Sequence, residues 1–146
     1  MTGCPFCAIV DGSSPAHVVL DEPAFVGFLD VRPVFPGHVL VVPREHVEVL
    51  ADLPAAQLGP LFDAVRRVGL AVERGLGAQG TFVAVNQKVS QSVPHLHVHV
   101  VPRTKGDGLR GFFWPRHRYP ADGTPGDAAS TAAALRAALP PPHPTG

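Results

Sequence analysis

The stretch His95-Leu96-His97-Val98-His99-Val100-Val101 decides how this chain is read. Side chains on a strand alternate between faces with a period of two. His95, His97 and His99 therefore share one face, and Leu96, Val98 and Val100 share the other, which is the core face. Same-face neighbours lie ~6.5 Å apart, so the imidazoles form a row on what is expected to be a solvated face. Such a row does little for packing and points to chemistry. Neutral imidazole is a common zinc ligand, and His-x-His on a strand can chelate. Imidazole is also a nucleophile toward phosphorus, forming a phosphoramidate that water then cleaves. An ordinary imidazole, with a pKa of about 6.5, supplies the required lone pair near neutral pH.

The segment before this row, from Asn86 to Pro94, is polar and must turn back. It carries no acidic residue, as an anion site requires, and it offers Asn86, Gln91, Ser92 and the Val93 N–H as phosphate-oxygen partners. Thr81–Val85 reads as the strand leading into it. Upstream, Val18–Leu20 and Ala24–Leu29 flank Asp21-Glu22-Pro23 as a hairpin. Val31–Gly37 is a loop, and Val39–Val42 is a β-branched strand stopped by Pro43. Between the strand groups the period changes. Leu58, Leu61, Phe62, Val65, Val68 and Val72 recur at three and four and mark one apolar helical face. Asp52 is the expected N-cap, Pro54 lies in the first turn, and Gly75 and Gly77 end the helix. Residues 1–15 are turn-rich, with Ala8–Pro15 a poor helix. Connections too short for parallel crossovers predict an α+β domain: an antiparallel meander with one long helix on one face.

The 146 residues suit one domain, expected over 1–119, with a Pro/Ala-rich tail over 120–146 in which Ala128–Leu139 is a weak helix. An apolar fraction of 45% with 16% charged residues excludes wholesale disorder. Lys+Arg and Asp+Glu are both 12, so no overall field draws the chain to nucleic acid or membrane. No apolar run approaches the ~18–20 residues of a membrane span. The expectation is a soluble, cytoplasmic domain. Two Cys exclude a disulfide framework, and Cys4-Pro5-Phe6-Cys7 has the spacing of half a zinc site or of a redox dithiol. Closing a tetrahedral site needs two further ligands, most naturally histidines. The redox reading suffers because only three residues precede Cys4, too few for the strand that normally leads into such a motif.

The full His-φ-His-φ-His-φ-φ element of His95–Val101 resembles the histidine triad (HIT) superfamily of nucleotidyl hydrolases and transferases. A second block, Phe28-Leu29-Asp30-Val31-Arg32-Pro33 followed by Pro36-Gly37-His38 through Pro43-Arg44-Glu45-His46, supports the resemblance, which covers roughly residues 4–104. The resemblance implies a homodimer and a purine nucleotide substrate cleaved at the α-phosphorus: a phosphoramidate, a dinucleoside polyphosphate or an adenylylated small molecule. It implies His97 as the nucleophile, His99 as phosphate ligand, and His38 as a further active-site histidine. Asp30 would accept from ribose hydroxyls, and Asn86, Gln91 and Ser92 would hold the phosphate and leaving-group side. Phe6, Phe28 and Leu29 would lie near the base. A subset of bacterial members also implies a structural Zn²⁺ on Cys4, Cys7, His46 and His95.

From Arg74 to Tyr119 there are seven basic residues (Arg74, Lys88, Arg103, Lys105, Arg110, Arg116 and Arg118) and one acid, Asp107. Trp114, with Arg103, Lys105 or Arg116, is a candidate for the leaving-group pocket. Three other function classes stay open on sequence alone. They are a nucleotide-binding regulatory protein with vestigial activity, a metal-dependent hydrolase using the histidine row as ligands, and a dithiol oxidoreductase.

Overall fold

The computed structural model describes residues 3–109, 117–138 and 141–142. Helix α1 spans Pro5–Val10, strands β1, β2 and β3 span Val18–Asp21, Phe25–Leu29 and Val39–Pro43, and helix α2 spans Ala55–Leu76. Strands β4 (Gly80–Ala84) and β5 (Val98–Arg103) and helix α3 (Ala128–Ala138) follow. The strands form one antiparallel sheet of order β1-β2-β3-β5-β4. It is a meander through β3. The chain then crosses along α2 to the far edge and returns through β5, which inserts between β3 and β4. No helix among the described residues is long and apolar enough to cross a membrane.

β3 shows why the sheet is two-sided. All five of its residues are buried, because both faces are covered. Val39 and Val41 pack with Phe25, Leu61, Val65, Val68, Val72, Leu96, Val98 and Val100 under α2. Leu40 and Val42 pack on the opposite face with Phe6, Val26 and Phe28. α2 buries Leu61, Ala64, Val65, Val68, Gly69 and Val72. Leu58 and Phe62, expected on that face, are instead 37% and 44% exposed. Pro54, not Asp52, is the N-cap, and Asp52 closes a short 3₁₀ turn over Leu50–Asp52. Gly77 ends α2 at φ 69°, donating to the Glu73 carbonyl as a left-handed cap does.

The N-terminal region departs from the turn-rich expectation. Pro5 occupies a first-turn position, where its missing N–H costs nothing, and the Cys4 Sγ caps the helix by accepting from the Cys7 N–H at 3.4 Å. Arg44 ties this helix to the β1–β2 hairpin, donating to the Val10 carbonyl at 3.3 Å and the Glu22 carbonyl at 2.7 Å, and pairing with Asp21. The β5 ladder begins at Val98, so His95–His97 lie just before it. β4 ends at Ala84, opposite His99, and what remains is a bond from the Leu96 N–H to the Val47 carbonyl at 2.7 Å.

The chain divides into one unit over Met1–Asp107 and a second over Gly108–Gly146. In the second, Asp127 caps α3, its carboxylate accepting from the Ser130 and Gly123 N–H groups, each at 2.8 Å. α3 buries none of its residues.

Gly37, which delivers His38 into β3, sits at φ 95°, and a Cβ there would meet Leu76 and stand 3.2 Å from the Pro102 ring. Gly37→Ala is expected to lower unfolding free energy by roughly 1–2 kcal/mol, the cost of a side chain in a left-handed conformation, read by urea denaturation.

Candidate active site

The three histidines do share one face, but that face is not solvated. α1 folds over it, so His95 and His97 are 0% and 2% exposed. Phe6 sets its ring edge-on, 6.0 Å from the His95 ring and 5.1 Å from the His97 ring. The sequence pattern assigned the face, and only the fold of the first ten residues shows what covers it.

Each imidazole of the row turns to a different partner. His95 Nε2 donates to the Pro43 carbonyl at 2.8 Å, which leaves its Nδ1 lone pair facing Cys4 Sγ at 3.5 Å and Cys7 Sγ at 3.6 Å. His97 Nδ1 donates to the His95 carbonyl at 2.7 Å, so its Nε2 keeps the free lone pair. His99 Nδ1 meets His38 Nε2 at 2.9 Å. The backbone N–H of Val34 donates to His38 Nδ1 at 3.1 Å, so the proton of His38 lies on Nε2 and is given to His99. That in turn places the His99 proton on Nε2. Acceptor-only carbonyls and a donor-only amide thus fix four tautomers.

Burial disfavours the imidazolium form of His38, His95 and His99. It pushes His99 down to about 4, helped by neighbouring His97 and His38 and opposed by Asp30. Burial likewise lowers His38, against the pull of Asp30, and lowers His95, against its bond to Pro43. His38 and His99 are therefore neutral donors and acceptors near pH 7.

His97 and His99 line a cleft of about 470 Å³. Phe6, Phe28 and Leu29 supply its apolar wall, with Asp30 and Ser92 at its polar side. Phe6 and Phe28 meet edge to face at 5.3 Å. Asp30 spends Oδ1 on the Arg32 N–H at 2.8 Å, while Oδ2 stands 3.8 Å from His38 Nδ1, beyond hydrogen-bond reach. The sequence reading missed Ile9, Val31, Arg32 and Leu40 as lining residues. Alternation along β3 could have placed Leu40 beside Phe28, its register partner on β2. Ile9 follows Phe6 by one helical turn, a signal hidden while α1 was read as a turn.

Not every predicted residue reaches the cleft. His38 is 3% exposed and lies behind His99. Asn86 is exposed on the loop and does not line the cleft. Gln91 commits its amide to the loop, accepting from the Lys88 N–H at 2.9 Å and donating to the Glu48 carbonyl at 2.6 Å. Arg103 is ion-paired with Asp107 at 2.6 Å. Trp114, Arg110 and Arg116 lie outside the described residues.

The histidine row does not converge on one ion. Among the described residues, the donor clusters are Cys4–Cys7–His46–His95 and Asp30–His38–His99, each within 4.8 Å, and neither contains two members of the row. The second has no lone pair left at His38, since Val34 takes one nitrogen and the other carries the proton. The first fits a metal. Cys7 Sγ stands 3.2 Å from His46 Nδ1, and the Pro43 carbonyl orients His95 as an outer-shell acceptor does for a ligating imidazole. Burial pushes the Cys7 thiol up, so a thiolate there needs a cation beside it.

A family pattern described as the HIT domain matches residues 11–106, a span holding the hairpin, α2 and all three histidines of the row. The chain belongs to the HIT family. A HIT family member from Bacillus subtilis superposes with a TM-score of 0.82 at 31% identity, covering 96% of this chain and 99% of that one. A zinc-bound histidine triad family protein from Mycobacterium smegmatis gives a TM-score of 0.70 at 40% identity, covering 74% and 80%. The asymmetrical bis(5'-nucleosyl)-tetraphosphatase of Schizosaccharomyces pombe is 40% identical over 82 residues, 55% of this chain and 45% of that protein. The HIT family thus includes a nucleotide hydrolase.

The depressed imidazoles make stability depend on pH. The unfolded chain takes up protons on His38 and His99 below pH ~6.5, whereas folded His99 resists until about 4. The folded state therefore binds fewer protons in that window. Tm is expected to hold above pH 6.5 and fall as pH drops toward 4, with a shallower fall in His99→Asn; a flat wild-type profile would contradict this.

Proposed function

We propose that the protein is a nucleotidyl hydrolase or transferase. Its reaction cleaves a purine nucleoside–phosphate linkage at the α-phosphorus through a nucleotidyl-His97 intermediate. The observation that carries this reading is the single hydrogen bond from His97 Nδ1 to the His95 carbonyl, which leaves Nε2 as the lone pair of a residue lining the cleft. The cleft volume of about 470 Å³ lies within the usual range for small-ligand sites.

The apolar wall of Phe6, Phe28 and Leu29 takes the base, and a purine covers it more fully than a pyrimidine. Asp30 Oδ2, free of backbone partners, accepts from the ribose hydroxyls. His97 Nε2 attacks the α-phosphorus as the bond to the leaving group breaks. His99 donates its Nε2–H to a phosphoryl oxygen, a hydrogen bond from a group already oriented before substrate arrives. His38 is a positioning residue: it acts through His99 by fixing which nitrogen carries the proton. Ser92, an exposed hydroxyl lining the cleft, passes a proton to the leaving group. Water then attacks the nucleotidyl-imidazole and the P–N bond breaks; the proton that the water gives up returns to the Ser92 oxygen, and neutral His97 is regenerated.

The Cys4, Cys7, His46 and His95 donors would hold a zinc ion. Two thiolates and two imidazoles make a closed set, so such an ion would serve as a structural staple rather than activate a water. The sulfurs face imidazole nitrogens, which favours this over the dithiol oxidoreductase reading. The working form is a homodimer, supported by the apolar Leu58, Phe62 and Val83 exposed on α2 and β4.

Brief exposure to a fluorogenic adenosine phosphoramidate, followed by intact mass measurement, is expected to show an adenylyl adduct on the peptide containing His97. His97→Asn is expected to lower kcat at least ~10³-fold while AMP binding survives, since the nucleophile acts in the chemical step. A variant retaining near-normal kcat would remove the mechanism. Elemental analysis should find one zinc per chain, lost in Cys7→Ser.

A further inference from the structure

The metal cluster and the cleft share two short segments. In the first, Cys4-Pro5-Phe6-Cys7, the two sulfurs face the cluster while the ring between them forms the cleft wall. In the second, His95 turns its imidazole to the sulfurs and its carbonyl to the His97 imidazole. The fourth ligand, His46, precedes Val47, whose carbonyl accepts from the Leu96 N–H at 2.7 Å, so its segment is bonded to the one carrying His95.

We propose that the loaded Cys4–Cys7–His46–His95 cluster positions the catalytic cleft: it holds the Phe6 ring against the bound base and the His95 carbonyl against His97 Nδ1, so that metal occupancy sets nucleotide affinity and the nucleophile's tautomer. This rests on the cleft being the nucleotide site and on the cluster binding metal. Phe6 and His95 are then positioning residues in a second sense, since each carries the state of the cluster to the reacting group one contact away. Phe6 reaches His97 directly, at 5.1 Å between ring centres. The His95 carbonyl reaches it at 2.7 Å.

The packing shows why losing the metal acts on the cleft rather than on the whole fold. The larger core, under α2, lies on the opposite face of the sheet. The far end of α1 is tied independently, by Arg44 to the Val10 carbonyl at 3.3 Å. Loss of the cluster frees the Cys4–Cys7 end, where Phe6 is, while the sheet and α2 persist. The Pro43 carbonyl still holds one nitrogen of His95, so the ring is left with one restraint in place of two.

The test compares purified protein as isolated, stripped with a chelator, and reloaded with zinc. Three quantities are read: far-UV circular dichroism with the thermal midpoint, the Kd for AMP by calorimetry, and the His97 tautomer from long-range ¹H–¹⁵N side-chain spectra. Stripping is expected to leave the secondary structure folded, to weaken AMP about 10-fold or more, as removal of an outer-shell support does, and to turn one His97 tautomer into a mixture. One equivalent of zinc should restore both. Phe6→Ala with metal bound should weaken AMP and leave the His97 tautomer single, separating the two arms. The proposal is overturned if stripped protein keeps its Kd and tautomer, if the isolated protein shows both properties with no metal, or if stripping unfolds the sheet. Should the loaded protein fail to bind AMP, the functional reading falls, and the tautomer comparison still decides the coupling.

Discussion

The hydrogen bond from the His97 imidazole to the His95 carbonyl is the constraint around which the site is arranged. A hydrogen bond of this kind contributes only about 1 kcal/mol net. Its importance is directional: a carbonyl can only accept, so the proton must sit on Nδ1 and the lone pair on Nε2. The same logic runs through the Val34 amide, His38 and His99. In a low-dielectric interior such chains hold each member to one arrangement, because the alternative leaves a buried polar atom unpaired. Among the described residues no buried side-chain polar atom lacks a partner.

The two faces of the sheet divide stability from chemistry. On one, α2 covers Val39, Val41, Leu96, Val98 and Val100 with aliphatic side chains in dense contact. On the other, the cover is a six-residue helix too short to bury a comparable core, and it leaves a cleft instead. A cover that short needs other restraints. Arg44 supplies one, and the Cys–His donor set stands at the other end of the helix. This explains how a face carrying three imidazoles can be buried, and why burial holds His38 and His99 neutral.

The loop before the histidine row is held by its own side chains. Gln91 and Gln87 bond the loop to Glu48 and Leu50, so the segment before the triad is shaped by its own amides. Ser92 and Val93 are left as the part of that loop lining the cleft.

Much of this was legible in the residues alone. Alternation along His95–Val101 assigned the two faces, because the period of a strand is a property of the backbone and needs no neighbour. The three-and-four spacing of Leu61, Val65, Val68 and Val72 found α2 for the same reason. The C-x-x-C spacing offered half a metal site, and the family resemblance supplied His46 and His95 as its other donors, a set that the structure gathers within 4.8 Å. Tertiary structure alone decided what covers the histidine face, which nitrogen of each imidazole carries the proton, and that His38 stands behind His99 while Asn86 and Gln91 stay out of the cleft. Those outcomes depend on contacts between residues up to 91 positions apart, as between Cys4 and His95. Local pattern encodes which way a side chain points; it does not encode what another part of the chain will place in front of it.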